Sequence, residues 1–281
     1  LLCIGAPDSD LITKLEDASQ QAGLSLDRIS SAEAHKLHPA MQVPEDVTVY
    51  FDRDGGYLSP EECVMTHAEG ARARGADIFE GEPLLEWGVD GSGVRVRTAQ
   101  REITAAKLIL TTGAWVAPEF AKLGIPLRVR RKVLFWHGIS DAESFRDTPV
   151  WIWKHEEHAF YGFPTLDGAT MKSAEDTGGE YLETPEARDF GIRPEDDVAL
   201  TPFLKTAFPG KVHAVERAKT CLYTDSPDKN FIISFHPEHP QVLLASCCSG
   251  HGFKLSSAMG EVLARTVQDG KLPPEAAFFG V

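Results

Sequence analysis

Basic residues are scarce in this chain. Against 42 Asp and Glu there are 28 Lys and Arg, which leaves a formal net charge of -14. Nucleic acid and anionic membrane surfaces are bound through clusters of Lys and Arg, so this deficit argues against both and makes a small molecule the default ligand. Long hydrophobic runs are missing too. No stretch reaches the roughly 18 apolar residues that a membrane-spanning helix needs, and the opening Leu1-Leu-Cys-Ile-Gly5 has neither the basic start nor the length of a secretion signal. Cysteine is sparse: the five present give no disulfide framework and no Cys-x-x-Cys pair, so a reducing, cytoplasmic setting is expected and a thiol is free for chemistry. No initiating Met precedes Leu1, and the first residues already read as a strand, so the chain is expected to begin inside a longer protein.

With 42% hydrophobic and 25% charged residues over 281 positions, the chain has enough apolar side chains for a sizeable core. Apolar spacing predicts a helix from Asp8 to Ala22, stopped by Gly23, after a short strand at Leu1 to Ile4. Ser59-Pro-Glu-Glu62 reads as an N-cap, a proline at the first helical position and two first-turn acids, opening a helix to Arg74 with Gly75 as its stop. Strands are expected at Asp77 to Phe79 and Leu84 to Trp87. Val94 to Thr98 folds back across Val89-Asp-Gly-Ser-Gly93. Ala106 to Thr112 contains an apolar run of the kind found in a buried parallel strand. Further β-rich stretches lie at Leu127 to Gly138, Val150 to Lys154, Phe160 to Pro164, Phe231 to Ser234 and Val242 to Ser246. Helices are expected at Asp196 to Ala207 and Ser256 to Gln268. Strands alternating with helices and then runs of strands imply a mixed α/β fold: an α/β unit interleaved with a mostly antiparallel one, neither contiguous in sequence.

Three blocks carry chemistry. The first is Cys221-Leu-Tyr-Thr-Asp-Ser-Pro-Asp228, followed by Phe231-Ile-Ile and then Ser249-Gly-His-Gly-Phe-Lys254 opening a helix. A strand that ends in a glycine turn before a helix aims backbone N–H groups at one ligand, which suits an anion or an electron-rich ring. Taken alone, the turn could equally be an ordinary one with a surface lysine. The second block is Tyr161-Gly-Phe-Pro-Thr-Leu-Asp-Gly-Ala-Thr-Met-Lys172. The third is Leu108-Ile-Leu-Thr-Thr-Gly-Ala-Trp115, which could also be a plain buried strand with Trp115 in the core.

In order, spacing and residue type these blocks resemble the FAD-dependent amine oxidases of the monomeric sarcosine oxidase, N-methyltryptophan oxidase and pipecolate oxidase family, within the D-amino acid oxidase superfamily. The resemblance runs from the opening strand to the last helix. It implies FAD bound covalently through the Cys221 sulfur, with Gly113, Ala114, Trp115, Leu84, Ser249, Gly250, Gly252, Phe253 and Lys254 beside the cofactor. It implies Lys254 on the substrate carboxylate, Tyr223 lining the pocket, Gly250 and His251 against substrate and flavin, and Lys172 above the flavin ring activating O2. A buried ammonium there would stabilise superoxide as it forms. The implied reaction is oxidation of a secondary or N-methyl amino acid to an imine with O2 reduced to hydrogen peroxide, by a monomer with no nucleic-acid or membrane partner. The implied domains are a substrate domain at 1–58 and 126–225, with a large mostly antiparallel sheet, and the remainder of a Rossmann-like FAD-binding domain at 59–125 and 226–281.

The chain departs from the family at two points. Asp176 stands where the family carries a histidine, four residues after Lys172. No Gly-x-Gly-x-x-Gly fingerprint is present, since Gly91-Ser-Gly93 lacks its third glycine and reads as a hairpin. Either a preceding segment supplies the fingerprint, or the chain is a non-catalytic homologue that keeps the substrate-domain fold without FAD. His155-Glu-Glu-His158 invites a metal reading, but its histidines are three apart rather than the four of a zincin helix, and no metal is expected. Cys247-Cys248 reads as a pair of buried thiols rather than a disulfide, and His236 and His239 as surface residues flanking Pro237.

Overall fold

The computed structural model describes residues 1–281. Its first elements in chain order are β1 (Leu2–Gly5), α1 (Asp10–Ala22), β2 (Asp27–Ile29), α2 (Ser31–Leu37), β3 (Thr48–Phe51), α3 (Pro60–Arg72), β4 (Glu86–Asp90), β5 (Gly93–Arg97), β6 (Glu102–Ala105) and β7 (Leu108–Leu110). There follow α4 (Ala117–Lys122), β8 (Arg128–Ile139), β9 (Trp151–His155), β10 (His158–Gly162), β11 (Thr170–Glu175) and β12 (Glu180–Leu182). The last are α5 (Leu200–Ala207), β13 (Val212–Asp225), β14 (Ile232–Phe235), β15 (Val242–Ser246) and α6 (Ser256–Asp269).

Two compact units divide the chain. One comprises Leu1–Tyr57, Arg131–Glu180 and Arg188–Cys221; the other comprises Leu58–Arg130, Tyr181–Ala187 and Leu222–Val281. The unit borders therefore fall inside β8 and β13, a few residues from the sequence-expected borders at 126 and 225, because each long strand runs on from one unit into the other. The short Tyr181–Ala187 segment also belongs with the second unit.

The first unit is built on a sheet of mixed direction. Strand order is β12-β8-β11-β10-β9-β1-β3-β2, with β13 also paired to β8. β1 is antiparallel to β3 and parallel to β9, whereas β8, β11, β10 and β9 pair antiparallel in series. Alternation along these strands sends Leu2, Ile4, Phe135, Trp151, Trp153, Phe160 and Met171 into one core, closed by Leu200, Phe203 and Leu204 of α5. The Phe160 and Phe203 rings stack there at 4.4 Å. Full burial of each such side chain contributes roughly 1.5–3 kcal/mol. α2 starts at a complete capping box: the Ser30 hydroxyl accepts from the Glu33 N–H, and the Glu33 carboxylate takes the Ser30 N–H.

The second unit carries two small three-stranded sheets, β14-β15-β7 and β4-β5-β6. β15 pairs antiparallel with β14 and parallel with β7. It is buried along its whole length because its faces serve two cores. Val242 and Leu244 join Leu110, Val94 and Phe120 on one side, while Leu243 and Ala245 join Val262 and Leu263 of α6 on the other. A strand sandwiched in this way reads as an unbroken apolar run.

Several local expectations need correction. Asp77 to Phe79 forms no strand; Ile78 and Phe79 stay exposed, and the Arg101 guanidinium packs on the Phe79 ring at 3.9 Å. The Ser59 hydroxyl makes no cap bond, and α3 ends at Arg72. In the 106–112 run, Ile109 remains 36% exposed. The helix expected from Asp196 is broken into a turn at Pro194–Asp197 and then α5, since the Asp197 carboxylate accepts from both the N–H and the hydroxyl of Thr201. His236 is buried rather than a surface residue. Its ring stacks on His239 at 4.6 Å and meets the Trp87 ring at 5.7 Å. His155 and His158 are cross-strand partners in the β9–β10 hairpin.

Candidate functional site

In the first unit, Lys172 sits on β11 opposite Trp136 of β8. Its neighbours Met171 and Ser173 are fully buried, so strand alternation turns Lys172 to the other face. Its ammonium lies 5.0 Å from the Phe163 ring centre and 5.5 Å from that of Trp136, within reach of both π faces. The Trp136 ring is itself packed by the Arg217 guanidinium at 4.2 Å. Lys132 of β8 is 5% exposed and donates to the Thr177 and Gly178 carbonyls. Asp176 donates its backbone N–H to the Ala159 carbonyl at 2.7 Å. The adjacent Glu175 carboxylate is engaged by His158 Nδ1 at 2.9 Å.

Cys221 is the last residue of this unit, and its thiol is partly buried. Burial pushes its pKa up, opposed by the positive charges of Lys132, Arg188 and Lys172. On balance burial wins, and the thiol is held protonated to higher pH than a free cysteine. Arg188 has a buried Nε with no partner and lays its guanidinium on the Phe190 ring at 4.1 Å. The segment that carries it is pinned by Arg131, which is 2% exposed. Arg131 donates to the carbonyls of Asp189 and Gly191 and pairs with the Asp196 carboxylate at 2.6 Å.

In the second unit, Tyr223 and the Ser249–Phe253 turn come together. Ser249 donates its N–H to the Thr224 carbonyl at 2.9 Å, and its hydroxyl accepts from the Ser226 N–H at 3.2 Å. That ties the turn to the end of β13. Gly250 has φ +81°, and a Cβ there would stand 2.4 Å from Cε2 of Tyr223. A Cβ on Gly252 would stand 1.8 Å from the Cys247 carbonyl oxygen. Both positions therefore need glycine, one for its backbone angle and both for space. His251 donates from Nε2 to the Lys229 carbonyl at 2.9 Å and stacks on Phe231 at 5.1 Å. Phe253 and Lys254 lie exposed on the turn that leads into α6.

The other sequence-predicted residues of this unit are less closely gathered. Gly113 and Ala114 open a helical turn after β7, with Ala114 buried. Trp115 is 57% exposed, not in the core, and its indole N–H donates to Glu186. Leu84 is half-exposed on a loop.

Four residues were not singled out from sequence. Lys132 and Arg188 act on Cys221, and Arg130 and Asp225 flank Tyr223. One signal was available: Arg128-Val-Arg-Arg-Lys132 concentrates four cations in five positions of an otherwise acidic chain, at the start of the 12-residue strand β8.

Comparison with known proteins shows the family. A family model described as FAD dependent oxidoreductase (DAO) matches residues 2–266. The monomeric sarcosine oxidase of Bacillus sp. (strain B-0618) is 32% identical over 279 residues, covering 98% of this chain and 72% of that protein. The N-methyl-L-tryptophan oxidase of Citrobacter koseri is 30% identical over 273 residues, covering 96% of this chain and 72% of that protein. Among solved structures, NikD, an unusual amino acid oxidase essential for nikkomycin biosynthesis, superposes with a TM-score of 0.83 at 18% identity over 99% of this chain and 75% of its own. At that identity the likeness speaks for the fold. No helix is long and apolar enough to cross a membrane.

Proposed function

Because the chain belongs to the family of FAD dependent oxidoreductases, we propose that it oxidises the CH–NH bond of a small secondary or N-methyl amino acid to an imine, with O2 taking the electrons as hydrogen peroxide. The observation that carries this reading is the match of the FAD dependent oxidoreductase family model to residues 2–266. It stands beside the relatives' own names, sarcosine oxidase and N-methyl-L-tryptophan oxidase.

The residues present fit an FAD. The unpartnered, buried Nε of Arg188 is a donor that awaits an acceptor, and Cys221 offers a free, partly buried sulfur for covalent attachment. When bound, FAD supplies the acceptor for the two electrons of the amine. The protein's own work is positioning and electrostatics. Burial favours the protonated Cys221 thiol, and the charges of Lys132, Arg188 and Lys172 only partly oppose it. The Lys172 ammonium, held by two aromatic rings, is a fixed positive charge suited to negative charge developing on oxygen. Lys254 supplies a cation for the substrate carboxylate, with Tyr223 as a wall and Gly250 and His251 beside it. The unit with the large sheet then serves as the substrate domain of a monomer, and the unit around β14-β15-β7 as the remainder of the FAD-binding domain, to which Gly113, Ala114, Trp115 and Leu84 belong.

Acid precipitation tests the attachment. The flavin absorbance of the purified protein is expected in the pellet, and that of Cys221→Ser in the supernatant. Flavin pelleting with denatured Cys221→Ser would remove Cys221 as the anchor. A parent protein without flavin and without peroxide formation from sarcosine or N-methyl-L-tryptophan would overturn the reading as a whole.

Stopped-flow separates the role of Lys172. Lys172→Met is expected to slow reoxidation of the reduced enzyme by O2 about 10²–10³-fold, the scale of losing one preorganised charge-stabilising group. Reduction by amine should change by less than about tenfold. Comparable losses in both halves would reassign Lys172 to a general structural role.

A further inference from the structure

Asp225 ends β13 with 2% of its side chain exposed, paired to Arg130 of β8, itself 12% exposed. Arg130 Nε stands 2.9 Å from Oδ2, and Nη2 donates to Oδ1 at 3.4 Å. The same carboxylate takes the Lys229 ammonium at 2.6 Å and the Tyr181 hydroxyl at 3.3 Å. One buried carboxylate thus gathers two cations and a phenol. Arg128 extends the group, with its guanidinium 3.4 Å from the Tyr181 ring centre.

Pairs of this kind add little net stability over apolar replacements, because desolvation offsets the attraction, while they fix geometry closely. What this pair fixes is a ring. Tyr223 and Asp225 are two apart on one strand and so face the same way. The Arg130 guanidinium held by Asp225 also lies 5.3 Å from the Tyr223 ring centre. That ring is in turn packed on the bare backbone of Gly250. With the glycine contact on the ring's Cε2–Cδ2 edge and a guanidinium over its π system, Tyr223 has little freedom of its own.

We propose that Asp225 is a positioning residue. By holding the Arg130 guanidinium against Tyr223 it sets where that ring stands, which makes the Arg130–Asp225 pair a determinant of the amines the enzyme accepts. The proposal rests on the reading of Tyr223 as a wall of the substrate pocket. Lys229, half-exposed, contributes less, since an exposed charge is screened by water.

The test is fluorine NMR of the purified, flavin-loaded protein carrying 3-fluorotyrosine in place of its five tyrosines, with Tyr223→Phe and Tyr181→Phe to assign two signals. Asp225→Asn and Arg130→Gln are each expected to move the Tyr223 signal by more than its linewidth. The Tyr50, Tyr57 and Tyr161 signals should stay in place, Asp225→Glu should restore the Tyr223 position, and Lys229→Gln should leave it unchanged. In steady state the two clamp variants should raise KM about tenfold, and unequally for sarcosine and N-methyl-L-tryptophan, with kcat changed by less than about threefold. A Tyr223 signal unmoved in both folded variants overturns the clamp, as does a moved signal with KM unchanged for both amines. Were Asp225→Asn not to fold, Arg130→Gln decides alone. Should the parent turn over neither amine, the functional reading fails, and the clamp is still decided by the Tyr223 signal.

Discussion

Gly252→Ala is expected to cost roughly 3 kcal/mol or more, the upper end of what overpacking costs, and to lower the Tm by about 6–12 °C for a chain of this size. The added methyl would stand 1.8 Å from a backbone carbonyl oxygen, that of Cys247, with the Cys248 Cα at 3.3 Å behind it. No rotamer change relieves an overlap with backbone, so the turn itself must move. Because Ser249 of that turn bonds Thr224 and Ser226, the disturbance reaches the end of β13. Gly260→Ala is the control. It lies four residues inside α6 with open space where the methyl would go, and alanine in a helix interior is favoured by up to about 1 kcal/mol. Thermal unfolding of the two variants gives the answer; an unchanged Tm for Gly252→Ala would mean that the turn is not packed as described.

Arg131→Met should destabilise by about 3–5 kcal/mol, the range for removing one partner of a buried ion pair. The Asp196 carboxylate, 11% exposed, would keep the backbone N–H of Arg193 but lose both Arg131 bonds. The loss should also depend on pH. Burial pushes the Asp196 carboxyl upward, but the Arg131 hydrogen bonds and the Arg193 N–H outweigh it and hold the pKa below the ordinary value. The unfolded chain therefore takes up this proton at higher pH than the folded one. The pair's contribution is full above the unfolded carboxyl value near 4 and fades as pH falls through the lower folded value. Urea unfolding should accordingly show a large gap between parent and variant at pH 7 and a narrower one at pH 3. A gap of constant size would place the loss in the packing of the arginine stem instead.

What could be read from sequence depended on whether a signal was local. β15 was foreseen at Val242 to Ser246 because an apolar run buried on both faces needs no partner to be recognised. The start of α6 at Ser256 was marked by the glycine turn before it. α2 was overlooked although Ser30 and Glu33 carry the capping-box spacing, since seven residues are too few to show helical periodicity. Asp77 to Phe79 has the composition of a strand, yet nothing beside it offers a ladder, and pairing is not a local property. The candidate site divided along the same line. The Cys221, Lys172 and Ser249–Lys254 motifs stood out as residue types in order. Arg188 and Asp225 matter through neighbours distant in sequence, and His236 looked like a loop residue because the rings that cover it come from elsewhere.

The place of β1 in its sheet sets a clock on folding. Leu2 pairs with Trp151 on one side and with Phe51 on the other, so this strand stands in the middle of the sheet and not at its edge. Its antiparallel partner β3 is about 50 residues on, but its parallel partner is about 150 residues away, and loops of that length close late. On a ribosome adding roughly 5–20 residues per second, β1 waits on the order of ten seconds or more with one backbone edge unpaired and Leu2 and Ile4 uncovered. During that interval the unpaired edge of β1 is open to wrong partners.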